Sequence, residues 1–221
     1  MIVGTIGSVD DLIENNKSKI QKLKRIADLI FDSFDFSTSR LSTIGDTSKE
    51  IICGTTPSTK NYENWVGDMP FITTPDMDKN TFVICTSRNV NQRIKSIQSR
   101  VIDRGTVSIS CIGTIGVIGM TIMPSITNQQ INTVVPFNDE CYYMYHVLKK
   151  NIIQLKNMAS GSATPNISKD SFSHLVYQRG ADFNVHEFNA KVSPIYDQIE
   201  NLEVQNNKLV NYRKTLLAKC F

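Results

Sequence analysis

A strict seven-residue spacing of apolar side chains runs through the last part of the chain, from residue 186 to residue 219. The spaced row is Phe188, Ile195, Leu202, Leu209 and Leu216, and the row interleaved with it is Val192, Ile199, Asn206 and Arg213. Two such rows sustained over several heptads are typical of a long helix that packs along a second helix. The pattern predicts a helical segment over residues 184–221, about 50 Å long at the usual rise per residue. Pro194 falls inside it and should kink or restart the helix.

A second amphipathic pattern lies at the other end of the chain, over residues 8–34. Its apolar side chains step by three and four residues: Ile13, Ile20, Leu23, Ala27, Ile30 and Phe34. Ser8, with Asp10 and Asp11 after it, has the composition of a helix N-cap and an acidic first turn. We predict that this segment, residues 1–36, pairs antiparallel with the last helix and that the two serve as a spacer and as a dimer or subunit interface. The predicted contact residues are Ile13, Ile20, Leu23, Ile30, Ile195, Ile199, Leu202, Leu209 and Leu216.

Each of the two predicted helices carries one asparagine in its apolar row, Asn16 in the first and Asn206 in the last. A buried amide at such a place lowers stability but fixes the register and the choice of partner helix. An amide at the solvated edge of the seam does neither. Both interpretations fit the sequence.

Residues 37–183 show a different pattern, of short β-branched runs broken by glycine, proline and small polar residues. The runs at 71–73, 81–86, 105–123 and 133–136 predict short strands, and residues 139–158 have helical spacing. The chain is therefore predicted to be α+β, with one globular mixed α/β domain and two long antiparallel coiled-coil helices.

The composition excludes several classes of protein. Hydrophobic residues make up 40% of the 221 residues, and the formal net charge is only +3. No segment has the length and apolarity of a membrane span. The five cysteines include no C-x-x-C pair, which argues against a zinc site or a disulfide framework and favours reduced thiols in the cytoplasm. Basic residues form two loose groups, on the first helix and around residues 88–104, and either group fits an ordinary solvated surface.

The motifs of common enzymes are missing from the sequence. It contains no G-x-S-x-G, H-E-x-x-H or P-loop. The glycines at 113, 116 and 119 lack the first G-x-G pair and the following helix of a dinucleotide site. The three histidines are far apart in the sequence, and Cys111 has no histidine near it. We expect no catalytic centre, no metal and no cofactor in this chain.

Four stretches are rich in hydroxyl and amide side chains: 54–60, 105–116, 128–132 and 159–166. Such side chains suit hydrogen bonds to phosphates and to base edges. The same residues are also ordinary turn formers, so any one stretch is equally well explained as a turn. Several of them in one domain favour recognition of a ligand over the turn interpretation.

Five motifs follow one another between the two predicted helices. They are GTTPST at 54–59, WVGDMPFIT at 65–73 with DM at 76–77, SCIGTIG at 110–116, NQQIN at 128–132 and GSATPNIS at 161–168. In this order they resemble a target recognition domain of the DNA-specificity subunits of type I restriction-modification enzymes. The first helix resembles the central conserved helix of that family, and the last helix resembles its C-terminal one. Because family members usually carry two recognition domains, the chain resembles a half-subunit.

The resemblance implies a sequence-specific DNA-binding subunit with no catalytic centre of its own. Its implied partners are double-stranded DNA, methyltransferase subunits that bring S-adenosylmethionine, and restriction or translocase subunits that bring ATP and magnesium. A homodimer with a two-fold axis would present the same reader twice. We therefore expect it to prefer an interrupted inverted repeat, with the gap set by the helices. A half-subunit that diverts a host complex also fits the sequence.

The predicted DNA contacts come from the polar stretches and the nearby basic residues: Thr55, Thr56, Ser58, Lys60, Thr74, Arg88, Arg104, Thr114, Gln129, Ser162 and Thr164. Trp65 can stack on nucleic acid, but the sequence favours it as an anchor in the core. The alternative function is a coiled-coil adaptor whose head domain binds a protein partner. Steep salt dependence of duplex binding would separate the two, because phosphate contacts release counterions.

Overall fold

The computed structural model describes residues 2–34, 39–138, 140–159 and 164–218. The chain divides into two compact units. We call Met1–Ser33 together with Ala190–Phe221 the helical unit, and Phe34–Asn189 the body. The body is longer at both ends than the predicted domain of residues 37–183.

The helical unit is built from two long helices. They are α1, Ile2–Ser33, and α6, Asp182–Ala218, whose first residues belong to the body. Three side-chain contacts set their direction: Asp10 Oδ1 lies 2.6 Å from Arg213 Nη1, Asn16 Nδ2 donates to Asn206 Oδ1 at 3.0 Å, and Lys24 Nζ lies 3.7 Å from Glu203 Oε1. Residue numbers rise along α1 as they fall along α6, so the two helices are antiparallel, as predicted.

The buried amide identifies which interpretation of the asparagines holds. Asn16 is only 2% exposed and its amide donates to Asn206. A slip of either helix would leave this amide buried without an acceptor. The free-energy cost of this unpaired buried amide would oppose the slip, and a buried polar residue of this kind fixes the register of two paired helices. The solvated-edge interpretation of Asn16 is therefore wrong.

The seam of the helical unit is rotated from the predicted one. Its buried apolar residues are Val9, Ile13, Ile20, Ala27 and Phe31 on α1 and Val192, Tyr196, Ile199 and Leu202 on α6. Five predicted contact residues are only partly buried: Leu23, Ile30, Ile195, Leu209 and Leu216. On α6 the row of Val192 and Ile199 lies at the centre, and Tyr196 takes the place expected of Ile195. A straight α-helix drifts by about 20° per heptad relative to a 3.5-residue repeat, so a strict seven-residue row turns away from its partner along a long straight helix.

Two predictions about helix ends are wrong. Because α1 begins at Ile2, Ser8 lies inside the helix and is not an N-cap. Of the two outcomes predicted at Pro194, a kink or a restart of the helix, the restart is wrong, because Pro194 lies inside α6. Its ring nitrogen has no hydrogen to donate to the carbonyl of Ala190, and this one bond of the helix is missing.

The body contains ten strands among the residues that the structure describes. They are β1 Arg40–Thr43, β2 Ser48–Cys53, β3 Met69–Ile72, β4 Phe82–Val83, β5 Arg88–Val90, β6 Val107–Ser110, β7 Ile118–Thr121, β8 Ile126–Thr127, β9 Ile131–Pro136 and β10 Val176–Arg179. Four helices of the body are α2 Thr74–Met77, α3 Cys141–Lys150, α4 Ile152–Met158 and α5 Lys169–Ser173. The helix predicted over 139–158 is thus broken at Asn151, and the strand predicted over 81–86 is reduced to β4.

The strands form three sheets, and the largest determines where the loops lie. Its order is β2-β9-β6-β7-β4, with antiparallel pairs except between β7 and β4. A three-stranded sheet has the order β5-β3-β8, and β1 pairs with β10. In the large sheet Cys53 pairs with Asn132, and Ser110 pairs with Ile131. The loops after β2, before β9 and after β6 therefore leave the sheet at the same end.

Two apolar clusters hold the sheets of the body. Successive side chains of a strand point to opposite faces, so neighbouring residues of β3 enter different clusters. Ile72 packs with a cluster that includes Ile52 and Ile131 of the large sheet. Phe71 packs with Val90 and residues of β8 on the other face. The three-stranded sheet is thus covered on both faces, which fixes the ends of its strands relative to the large sheet.

Candidate nucleic-acid interface

Four polar segments of the body gather at one end of the five-stranded sheet. We call residues 54–60, 111–117, 128–132 and 164–167 together the loop end. Backbone bonds join them in sequence: Gly54 N donates to Ile131 O at 3.0 Å, Cys111 N donates to Gln130 O at 2.7 Å, and Gly113 N donates to Pro165 O at 2.9 Å. Segments that are far apart in the chain thus form one surface.

The first and third segments of the loop end are in direct contact. Thr56 Oγ1 donates a hydrogen bond to the side-chain oxygen of Gln129, so two of the predicted DNA contacts lie side by side. Thr55 N donates to Thr127 O at 2.8 Å. A Cβ added at Gly54 would lie 2.0 Å from Asn128 O and 2.5 Å from Thr127 O. This close approach of two backbones requires glycine at position 54.

The second and fourth segments of the loop end lie beside each other. Ile167 N donates to Cys111 O at 2.8 Å, and Ile112 forms a bridge with Asn166. The turn that follows β6 has a positive φ of 74° at Gly113, which L-residues rarely adopt. Thr114 and Thr164 are both exposed on this part of the surface.

An arginine lies over an aromatic platform next to the first segment. The guanidinium carbon of Arg88 lies 4.6 Å from the ring centroid of Trp65 and 5.3 Å from that of Phe71. The indole nitrogen of Trp65 donates to the carbonyl of Ser58 at 3.2 Å. Arg88 is paired with Phe71 across the strands, and the carbonyl of the next residue, Ile72, accepts from Asn128 N at 3.0 Å. Arg88 therefore lies next to the loop end.

A buried carboxylate holds the backbone on both sides of this platform. Asp76 accepts hydrogen bonds from Thr73 N at 2.9 Å, from Thr73 Oγ1 at 2.6 Å and from Ser87 N at 3.1 Å. It thereby joins the end of β3 to the start of β5. Because Ser87 precedes Arg88, this contact limits the movement of the arginine backbone.

Most of the predicted DNA contacts are brought together by the fold. Seven lie on the loop end and an eighth is beside it: Thr55, Thr56, Ser58, Lys60, Thr114, Gln129 and Thr164, with Arg88. Ser162 lies outside the described residues, and so do the other residues of 160–163 in the polar stretch 159–166. The polar stretch 105–116 is not one loop, because β6 occupies Val107–Ser110 within it, in agreement with the strands predicted over 105–123.

Two predicted contacts lie elsewhere. Arg104 Nη1 donates to Ile122 O at 3.2 Å, just past the end of β7, and this is the opposite end of the large sheet. The hydroxyl oxygen of Thr74 is buried and accepts or donates no hydrogen bond among the described residues. In this conformation that oxygen cannot reach a phosphate, so the structure gives Thr74 no support as a DNA contact.

The sequence prediction missed polar groups that build the same surface. Arg100 Nη1 donates to Cys53 O at 2.8 Å and brings a cation to the end of β2. Asn128 Oδ1 accepts from Gln130 N, and its Nδ2 donates to Gln130 Oε1, each at 3.1 Å. In the sequence, Arg100 belongs to the loose basic group of residues 88–104, and Asn128 and Gln130 belong to the polar stretch 128–132.

The chemistry of the loop end is that of binding. Burial raises the pKa of the Cys111 thiol to about 11, despite hydrogen bonds to Asn132 that lower it. At neutral pH this thiol is protonated and therefore a poor nucleophile. In the described part of the chain, no three histidine, cysteine or acidic side chains gather as metal ligands. None of the described helices is long and apolar enough to cross a membrane.

Alkaline pH should destabilise the protein through its buried acids. Burial raises the pKa of Cys111 from 9.0 to about 11 and that of Tyr143 from 10.0 to about 12. The stabilisation by neutral Cys111 is complete below pH 9.0 and is lost as the pH rises through about 11. Urea denaturation should therefore show a falling free energy of unfolding over this range. The free energy of unfolding of Cys111→Ala should fall less steeply with pH than that of the wild type. Cys85→Ala, at an exposed cysteine, is the control. The same decline in all three would contradict the assignment to Cys111.

Comparison with known proteins gives a family match over most of the chain. The model of the type I restriction modification DNA specificity domain matches residues 35–176. The type I restriction enzyme HindI specificity subunit of Haemophilus influenzae is 35% identical over 175 residues, 77% of this chain and 38% of that protein. The MjaIX specificity subunit of Methanocaldococcus jannaschii is 26% identical over 193 residues, 85% of this chain and 44% of that protein. The chain spans less than half the length of either relative.

Solved structures agree in fold. The S subunit of a type I restriction-modification system from M. genitalium has a TM-score of 0.70 at 19% sequence identity. The match covers 100% of this chain and 59% of the M. genitalium chain. The HsdS subunit from Thermoanaerobacter tengcongensis has a TM-score of 0.56 at 16% sequence identity. This match covers 100% of this chain and 56% of the HsdS chain. At such identities the likeness concerns the fold, and it confirms the predicted α+β class.

Proposed function

We propose that the loop end binds double-stranded DNA and reads its sequence, because this chain belongs to the type I restriction-modification DNA specificity family. The observation that carries this proposal is the convergence of four hydroxyl- and amide-bearing segments on one end of one sheet. Hydrogen-bond donors and acceptors on a rigid scaffold are what base-edge recognition needs. Lys60, Arg88 and Arg100, all exposed, supply positive charge for the phosphates.

The chain itself performs no chemical step in this proposal. Methyltransferase subunits would bring S-adenosylmethionine, and restriction or translocase subunits would bring ATP and magnesium. The role of the chain is to place these subunits at a chosen DNA sequence. The described cysteines are free thiols, which suits action in the cytoplasm, where they stay reduced.

The helical unit supports a second part of the proposal, that two copies of this chain associate. It leaves apolar side chains outside its own seam. On α1, Leu12, Ile26 and Leu29 are exposed, and on α6, Tyr212 and Leu217 are exposed. Helices that keep such side chains in solvent are suited to further packing against protein. We assign this surface to a second copy and to methyltransferase subunits.

A symmetric pair of chains would determine the form of the DNA target. An isologous dimer presents the same loop end twice, related by a two-fold axis. The preferred DNA would then be an inverted repeat interrupted by a gap, with the gap set by the helices. Light scattering after size exclusion should give twice the mass of the chain at micromolar concentration. A strict monomer without preference for inverted repeats would contradict this part.

Salt dependence tests whether the loop end binds DNA. Affinity for a labelled duplex should fall steeply with salt, because each phosphate contact adds about −0.9 to the slope of log affinity against log salt. Lys60→Gln should make the slope less steep by about one. Arg104→Gln removes the same charge at the opposite end of the sheet and should leave the slope unchanged.

The protein-adaptor alternative predicts a different result in the same titration. An adaptor whose body binds a protein would show no specific, salt-dependent duplex affinity. Equal effects of Lys60→Gln and Arg104→Gln would show that DNA binding is not localised to the loop end.

A further inference from the structure

We infer that Arg88 reads a guanine in the major groove and that Trp65 is the positioning residue that aligns it. This inference rests on the proposed function, since it assigns one base contact within that DNA interface. It assigns the base contact to Arg88, and it gives Trp65 a role that acts only through Arg88.

The aromatic contacts restrict the guanidinium group. Its central carbon lies over the Trp65 ring, 4.6 Å from the ring centroid, and 5.3 Å from the ring centroid of Phe71. The two rings are perpendicular to each other, with an interplanar angle of 88° and centroids 5.0 Å apart. A guanidinium that lies flat on an aromatic ring keeps its in-plane N–H groups free for further hydrogen bonds. These N–H groups are the ones that bind the O6 and N7 atoms of guanine in pairs.

The charge of Arg88 is available for a ligand. Among the residues that the structure describes, no acidic side chain forms an ion pair with it, and the residue is exposed. By contrast, Arg179 is buried against Glu140 and Arg213 is paired with Asp10. Among the described residues, the recorded contacts of the Arg88 guanidinium are therefore those with the two aromatic rings.

The platform itself is fixed, and this distinguishes a base contact from a phosphate contact. The Trp65 indole is tied to the carbonyl of Ser58, and Asp76 is tied to the backbone just before Arg88. A phosphate contact needs only a charge, which a mobile lysine supplies equally well. A planar donor held in one orientation gives discrimination between base pairs instead, because a bidentate pair requires fixed geometry.

Selection from a pool of random duplexes tests the inference. The wild-type chain should enrich a motif that contains a conserved G·C pair. Arg88→Ala should lose the preference at that one pair and keep the rest of the motif. Its affinity for the wild-type motif should fall about ten- to a hundredfold, the size of one lost bidentate contact. Arg88→Lys keeps the charge but not the planar fork, and should relax the same position.

Two further variants separate positioning from charge. Trp65→Leu keeps an apolar filler but removes the aromatic face, and should relax the same G·C position without changing the salt slope. Arg93→Ala is the matched control, because Arg93 is an exposed arginine of the same region without a ring beneath it. It should leave the motif unchanged. Thermal unfolding of each variant checks that the body remains folded.

The outcomes are distinct. If Arg88→Ala weakens binding to all duplexes equally and leaves the motif intact, Arg88 contacts a phosphate and the inference is overturned. If Arg88→Lys selects the wild-type motif unchanged, a point charge suffices and the inference also fails. A wild-type chain that enriches no motif would overturn the proposed function itself, and the guanine contact with it.

Discussion

Replacing Arg179 with methionine should lower the free energy of unfolding by about 3–5 kcal/mol, the usual cost of breaking a buried ion pair. Arg179 is 5% exposed and donates to both oxygens of Glu140, each at 3.0 Å. Burial alone would lower the pKa of Arg179, but the hydrogen bonds that it donates to Glu140 and Tyr177 raise this pKa above its usual value. In the variant, Glu140 would stay buried without its partner.

A double variant shows whether the loss comes from the stranded charge. Arg179→Met with Glu140→Leu should recover most of the stability, because a buried pair can often be replaced by apolar residues at little cost. Arg213→Met is the matched control, since the pair of Arg213 with Asp10 is partly exposed. This substitution should lower the free energy of unfolding by about 1 kcal/mol or less. Urea denaturation followed by circular dichroism measures all three. A loss for Arg179→Met no larger than that of the control would contradict this account.

Gly54→Ala should both destabilise the body and weaken DNA binding. The new Cβ would lie 2.0 Å from Asn128 O and 2.5 Å from Thr127 O, and both are backbone atoms that cannot rotate away. The end of β2 must then separate from the turn at 128–132. We expect a loss of about 1–3 kcal/mol from overpacking. Duplex affinity should fall as well, because the movement parts Thr56 from Gln129.

The helix glycine at position 7 provides the control for this substitution. A Cβ at Gly7 meets nothing within 4 Å, and alanine in a helix interior is favoured by about 1 kcal/mol. Gly7→Ala should therefore be at least as stable as the wild type and bind DNA normally. Thermal unfolding and fluorescence anisotropy with a labelled duplex measure both properties. If Gly54→Ala matches Gly7→Ala in both thermal stability and duplex affinity, the close approach of the two loops has no importance for DNA binding.

The sequence was sufficient for the elements whose pattern is local. The two long helices follow from spacing over many turns, and their antiparallel pairing is as predicted. The rotation of the seam towards Tyr196 was not predictable, because the seven-residue spacing alone does not say how far the helix turns relative to its partner. The burial of Asn16 likewise depends on where α6 places Asn206.

The loop end could be predicted by residue type but not by position. Thr56 and Gln129 were identified as polar loop residues, but their contact depends on β9 lying between β2 and β6 in the sheet. The same strand order places Arg104 at the opposite end of the sheet, although it is close in sequence to Arg100. The pair of Arg179 and Glu140 joins residues 39 positions apart, and nothing local in the sequence marks it.

Mapping of methylated sites in cells tests most directly whether the loop end selects DNA sequence. The comparison uses cells that carry the proposed methyltransferase with the wild-type chain, without the chain, or with a Thr56→Ala and Gln129→Ala double variant. We predict an interrupted inverted repeat that is methylated only with the wild-type chain. Unchanged methylation at the same sites in the absence of the chain, or with the double variant, would contradict the account.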